Sequence, residues 1–144
     1  MLFRSKYGWQ IIAQFEGQDD YYAPPFWWRK LLKDPNFRSL VHQRWRSYRA
    51  GPLSDAAVEA EIDDVYAHIS PALSREFTTW DRLRQYDWPN VFPIPSWATS
   101  TTDTNSYTYA DHLAYLKAWL FKRLAWMDSD EAWKAMDDWG EAQN

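Results

Sequence analysis

The chain contains no cysteine. That excludes a disulfide scaffold, an iron–sulfur centre, a thiolate zinc site and a cysteine nucleophile, and it leaves the redox compartment open. Only four glycines are present, at positions 8, 17, 51 and 140. No two are close, so no Gly-rich loop can cradle a phosphate. The three histidines, His42, His68 and His112, fall on separate predicted helices without ligand spacing, and there is no His-Glu-x-x-His. No apolar run approaches the roughly 20 residues of a membrane span. Residues 1–10 include Arg4 and Lys6 but lack the apolar run of a signal peptide. A formal net charge of −4 offers no global basic field to nucleic acid.

What is present is length for one domain and an unusual load of aromatics. A chain of 144 residues buries roughly two-thirds of its unfolded surface. Its 11 Trp, 9 Tyr and 7 Phe exclude a disordered polymer. Charge is uneven: residues 1–51 carry a net +5 and residues 52–144 a net −9. A basic front can face the acidic back or an anionic partner; ordinary solvated helix faces account for it as well.

Periodicity predicts a mainly α protein of about five helices after an irregular arm or short strand at residues 1–24, with residues 25–144 as the helical portion. Pro24-Pro25 suits a helix start, and Phe26 to Leu32 follows as a short helix. Asp34-Pro35 supplies an N-cap and first position for a second helix, which Gly51-Pro52 ends. That helix carries Phe37, Val41, Trp45 and Tyr48 on one face and a basic stripe of Arg38, His42, Arg46 and Arg49 beside it. Ser54 caps a third helix, whose stripe Val58, Ile62, Val65, Ile69, Leu73, Phe77, Trp80 runs through Pro71. One long helix to about Arg84, kinked near Pro71, is expected. Residues 86–105, with three prolines and a Ser/Thr run, form a loop, its first half packed and its second half mobile. A fourth helix starts near Ser106 or Thr108. Asp128 then caps a fifth, with Glu131 reaching back, and Gly140 can terminate it.

Candidate chemistry is sparse. Asp63-Asp64 and Asp137-Asp138 are adjacent helical residues that point about 100° apart, which makes poor metal pincers. Asp19-Asp20, in a loop, is the weak candidate for a cation. Serine, histidine and aspartate all occur, but no context presents a nucleophile. By motif alone the chain does not look like a complete enzyme.

From residue 24 onward the order of motifs carries more. Phe-Trp-Trp-Arg-Lys-Leu-Leu-Lys-Asp-Pro-Asn-Phe at 26–37 comes first. Arg44-Trp45, then Arg49-Ala50-Gly51-Pro52-Leu53-Ser54, then Arg75-x-Phe77-x-x-Trp80 follow. Tyr-Leu-Lys-Ala-Trp-Leu-Phe-Lys-Arg-Leu-Ala-Trp-Met-Asp at 115–128 closes the set. In this order the blocks resemble the C-terminal helical part of the CotH kinase family, over about residues 5–130. The structural positions of the resemblance are Arg44, Trp45, Arg75, Trp80, Lys117, Trp119, Arg123, Trp126 and Asp128.

The resemblance implies a divergent protein-kinase-like fold and phosphate transfer from ATP to protein serine, with ATP and magnesium as cofactors of the full-length family. Many members are secreted or lie on spore and cell surfaces; the compartment of this chain stays open. The family's metal-binding element, Trp-Asp-[Phe/Tyr]-[Asp/Asn] followed by Gly-Asn, lies just before the segment that Gly8-Trp9 resembles. On that resemblance the element is expected to lie ahead of Met1, outside this chain, and so is the nucleotide-binding N-lobe. Trp80-Asp81 is the only Trp-Asp pair; it continues Arg82-Leu83, is expected on a helix and belongs to another family block. No catalytic residue and no cofactor are therefore assigned to this chain alone. The expectation is a kinase C-lobe without its catalytic front, a fragment or truncated product whose partners are the missing N-terminal part and, in the full-length family, a protein substrate.

Alternatives stay open: a free-standing helical interaction module using the basic stripe, or a glycan- or peptide-binding module using exposed tryptophans. Arg44, Arg75 and Arg123 are expected at the rim of the core, stacking on Trp faces or pairing with Asp128. The sharper alternative sets Arg44 or Arg123 against a phosphate. Trp45, Trp80, Trp119 and Trp126 are expected as buried anchors, and Trp9, Trp27, Trp28 and Trp97 at the surface.

Overall fold

The computed structural model describes residues 8–9, 26–86, 92–99 and 101–142. The arm at 1–24 apart from Gly8 and Trp9, with Asp19 and Asp20, lies outside the described residues, as do Trp88 and Val91 of the loop. Five α-helices are present among the described residues: α1 Phe26–Leu32, α2 Pro35–Arg49, α3 Asp55–Thr79, α4 Tyr109–Asp128 and α5 Asp130–Ala142. A single 3-10 turn, Thr104–Ser106, precedes α4, and no strand occurs among the described residues.

The helix starts follow local chemistry. The Asp34 carboxylate accepts the Asn36 N–H at 2.8 Å, with Pro35 in the first turn, where its missing N–H costs nothing. The Ser54 hydroxyl accepts from the Ala57 N–H at the head of α3. Thr108 and Asp111 form a reciprocal cap on α4: Asp111 accepts the Thr108 N–H at 2.8 Å, and Thr108 Oγ1 accepts the Asp111 N–H at 3.3 Å.

Inside α3, Pro71 has no N–H for the Ala67 carbonyl four residues back, and the Ser70 hydroxyl donates to that oxygen at 3.0 Å. The helix is therefore continuous through Pro71. It ends at Thr79 rather than near Arg84: Trp80 is an extended C-cap whose N–H reaches the Glu76 carbonyl. Trp80-Asp81 is thus not helical, contrary to expectation.

Two further expectations fail at α5. Its cap is Ser129, whose hydroxyl accepts the Ala132 N–H at 3.2 Å, because Asp128 is the last residue of α4 and is engaged elsewhere. Gly140 does not end the helix, which runs on to Ala142.

The chain divides into two compact units, residues 1–53 with 122–144, and residues 54–121. In the first, Leu32, Trp133 and Met136 form the buried core, with Trp9, Phe37, Val41, Trp45 and Trp139 packed against it. Truncating a residue such as Trp133 to Ala costs about 3–5 kcal/mol. In the second, Ile94 and Tyr107 are buried, and the Tyr107 hydroxyl donates to the Ile94 carbonyl, pinning the first half of the loop. Asp103 organises the second half by accepting from the Asn105 N–H and the Ser106 hydroxyl. No residue of α3 is fully buried.

The tryptophans sort differently from expectation. Trp80 is 56% exposed, because its position past the end of α3 takes it off the helical stripe. Trp9, expected outside, packs into the core. Trp45, Trp119 and Trp126 are half-buried, and Trp27, Trp28 and Trp97 are exposed.

Candidate functional site

The densest chemistry of the first unit is an aromatic cluster on α4 and α5. The Trp9 ring lies 5.3 Å from that of Trp126 and 4.9 Å from that of Trp133, both tilted, the geometry aromatic quadrupoles favour. The Trp9 indole N–H donates to the Ala132 carbonyl, and that of Trp133 to the Met127 carbonyl at 2.8 Å. Arg123 covers the cluster, its guanidinium carbon 4.8 Å from the Trp126 centroid and 6.0 Å from that of Trp9. It also donates to the Gly8 carbonyl at 2.7 Å. Burial pushes its pKa down from the ordinary arginine value. Gly8 adopts φ +91°, a region that glycine enters without steric cost.

Beside this cluster Asp128 joins α4 to α2. It accepts from Trp45 Nε1 at 2.8 Å and from Arg49 Nε at 2.9 Å. Arg49 also donates to the Leu53 carbonyl. An open, mainly apolar groove of about 360 Å³ lies here, lined by Trp9, Val41, Trp45, Met127 and Trp133, with the exposed Arg44 among its walls.

A third joint closes the unit. Arg38 is 5% exposed; its Nε donates to Asp137 at 2.7 Å and its Nη1 to the Leu32 and Lys33 carbonyls at 2.9 and 3.2 Å. It thereby satisfies carbonyls at the end of α1 that have no intrahelical partner. His42, one turn along, stacks on Trp133 at 4.1 Å and 17°. The expected basic stripe is therefore largely committed: Arg38 is buried, His42 is stacked and Arg49 is bound to Asp128.

In the second unit Lys117 spans α4 to α3, meeting Asp63 at 2.6 Å and Glu59 at 3.3 Å. The Asp63 hydrogen bond leads the causes that raise its pKa. The His112 ring contacts the Leu83 carbonyl at 2.9 Å and holds the segment after α3. Arg75 and Trp80 are exposed.

Among the residues singled out from sequence, the structure brings Trp45 together with Asp128, and Arg123 together with Trp126. Asp128 pairs with Arg49 rather than with Arg44, Arg75 or Arg123. The sequence reading places Arg38 only in the basic stripe and Trp9 only among the surface tryptophans, and it gives Trp133 and Gly140 no site role.

A magnesium–nucleotide site needs several free oxygen donors in one place. Among the described residues no three His, Asp or Glu side chains are grouped to hold a metal. The carboxylates near cations are already paired: Asp128 with Arg49, Asp137 with Arg38, Asp138 with Lys134 and Asp63 with Lys117. Asp103 and Asp111 cap turns, and hydrogen bonds from Ser106 and Thr108 respectively hold their pKa values down. The described residues do not fit such a site. No helix among them is long and apolar enough to cross a membrane.

These helices define a class before they define a family: an α-helical scaffold whose charged residues bind its own helices to one another. The sequence matches the family model described as CotH kinase protein over residues 3–127, and the chain belongs to the CotH kinase family. No curated protein and no solved structure matches it.

Proposed function

We propose that the chain is the C-terminal helical part of a CotH-like atypical protein kinase of divergent kinase-like fold, whose family transfers phosphate from ATP to protein serine. Its helices support the reaction centre and do not form it. The supporting observation is that Arg38, Arg49, Lys117, Arg123, Asp128 and Asp137 all hold helices or backbone segments in place. Phosphoryl transfer depends on charges aimed at nucleotide and metal, and these charges are aimed at one another or, for Arg123, at the Gly8 carbonyl and the Trp126 ring.

On this reading the pure chain does not turn over Mg-ATP. The test is ADP release and transfer of labelled phosphate to a serine-bearing protein, with the chain alone and with the chain fused behind a family N-terminal part. Background rates alone and transfer from the fusion are expected. Turnover by the chain alone that vanishes in Asp19→Asn/Asp20→Asn would overturn the reading and give that pair the metal.

The apolar groove supports a second reading, a stand-alone peptide- or glycan-binding module. Titration of polysaccharides and peptides against tryptophan emission tests it. Saturable quenching that is lost in Trp45→Ala is its expected signature.

A further inference from the structure

The 25 residues of α3 carry an apolar stripe, yet none of them is fully buried. Val65, Tyr66 and Ile69 are 50%, 38% and 39% exposed, and Leu116 on α4 is 48% exposed. An apolar face of this periodicity ordinarily lies against a neighbour. Here α3 and α4 wall an open groove of about 190 Å³ within the second unit. Ile62, Val65 and Tyr66 line it from α3, and Tyr109, Leu113 and Leu116 from α4. The Tyr66 and Tyr109 rings stack at 5.8 Å and 13°, joining the two walls.

Carboxylates stand on the same face. Glu61 lines the groove. Glu61, Val65, Ile69 and Glu76 follow at spacings of four, four and seven, which puts them on one side of α3. Both glutamates are exposed, and neither side chain has a hydrogen bond or ion pair among the described residues. Glu59 and Asp63, by contrast, are taken by Lys117. Along its length α3 holds six acids and one Lys or Arg, Arg75, which lies about 100° round the helix from Glu76. Residues 54–121 carry ten Asp and Glu against four Lys and Arg.

Size and charge together select an occupant. The groove is smaller than the roughly 300–1,000 Å³ of a small-molecule pocket, so it takes side chains of a larger partner. Among the described residues there is no strand whose edge a peptide could extend. Carboxylates on the rim repel nucleic acid and anionic lipid headgroups. A second copy set face to face about a two-fold axis would bring these glutamates against like charges. A helix laid between two helices presents apolar anchors at i, i+3, i+4 and i+7 and can flank them with cations. We propose that the α3–α4 groove is a docking site for a basic amphipathic helix of a partner protein. Its apolar side chains cover Val65, Ile69 and Leu116, and its Lys or Arg residues pair with Glu61 and Glu76. The site is separate from the groove lined by Trp45 and stands independently of the kinase reading.

The probe is a dye-labelled helical peptide of leucine and lysine, with leucine at the i, i+3, i+4 and i+7 positions, titrated with the whole chain and read by fluorescence anisotropy. One control peptide replaces every lysine by glutamate; a second is scrambled so that no apolar face forms. Only the basic amphipathic peptide should bind, and salt should weaken it. Glu61→Gln/Glu76→Gln should weaken binding about fourfold, since each solvated pair contributes about twofold. Val65→Ser/Leu116→Ser should weaken it by more than about tenfold through the loss of central apolar contacts. Glu131→Gln/Glu141→Gln removes the same charge from α5 and should change nothing. All of these positions are exposed, thermal melting checks the fold of each variant, and the two glutamate pairs decide the question on their own. No binding, equal binding of the acidic or the scrambled peptide, or an equal loss from the α5 pair would each overturn the proposal. Self-association of the chain that is lost in Val65→Ser/Leu116→Ser would make a second copy the occupant and overturn it as well.

Discussion

Gly140 and Arg38 share one space. A Cβ built on Gly140 would come within 2.4 Å of Arg38 Nη1, 2.8 Å of its Cζ and 2.6 Å of the Leu32 carbonyl oxygen. The bare backbone of α5 is what lets a buried guanidinium reach the end of α1. Backbone atoms stand on one side of that gap and a hydrogen-bonded side chain on the other, so neither yields easily.

Gly140→Ala should therefore destabilise the protein. In an ordinary helix interior alanine is favoured over glycine by about 1 kcal/mol. Here the overpacked methyl reverses the sign, with an expected net loss of about 1–3 kcal/mol. Urea denaturation of the two proteins measures it; equal or greater stability of the variant would show that the joint is loose.

Asp128→Ala removes the acceptor shared by Trp45 Nε1 and Arg49 Nε. Arg49 is largely buried and Asp128 partly exposed, so the loss should be moderate, about 1–2 kcal/mol. Lys134→Ala, which breaks a fully solvated pair with Asp138 within α5, should change nothing measurable. Denaturant midpoints of both variants provide the contrast, and similar losses in the two would contradict it.

Acid should weaken the first unit through His42. Burial, and next the neighbouring Arg46, hold its pKa below the ordinary 6.5, against Asp137 and Asp130, which raise it. The folded state thus prefers the neutral ring. Its contribution is complete above pH 6.5 and is lost as pH falls through the lower folded value. His42→Phe keeps a ring on Trp133 and removes the titration. The fall in stability just below pH 6.5 should flatten in that variant, and an identical pH profile would assign it to another group.

Much of the helical layout was legible in the residues. Asp34-Pro35 and Ser54 announced the starts of α2 and α3, because a cap is a hydrogen bond between positions two or three apart. The site was less legible. Asp128 has the look of a cap, yet its partners are Trp45 and Arg49, 83 and 79 positions away. Trp80 completes a helical stripe on paper, but no Gly or Pro marks the end of α3, and the helix stops one residue short of it. An apolar stripe names the face of a helix and says nothing about how much covers it, which is why α3 carries the pattern without a fully buried residue.

By itself the sequence determined the helices, most of their caps, the aromatic character of the core and the family, for these depend on neighbours within a turn or on the order of motifs. Only the tertiary structure decided that Trp9 is an inner residue bound to Ala132, that Arg38 is buried against Asp137, and that Gly140 stands where no side chain fits. Those outcomes are set by contacts across 123 and 99 positions of chain, where packing, not local preference, selects the partner.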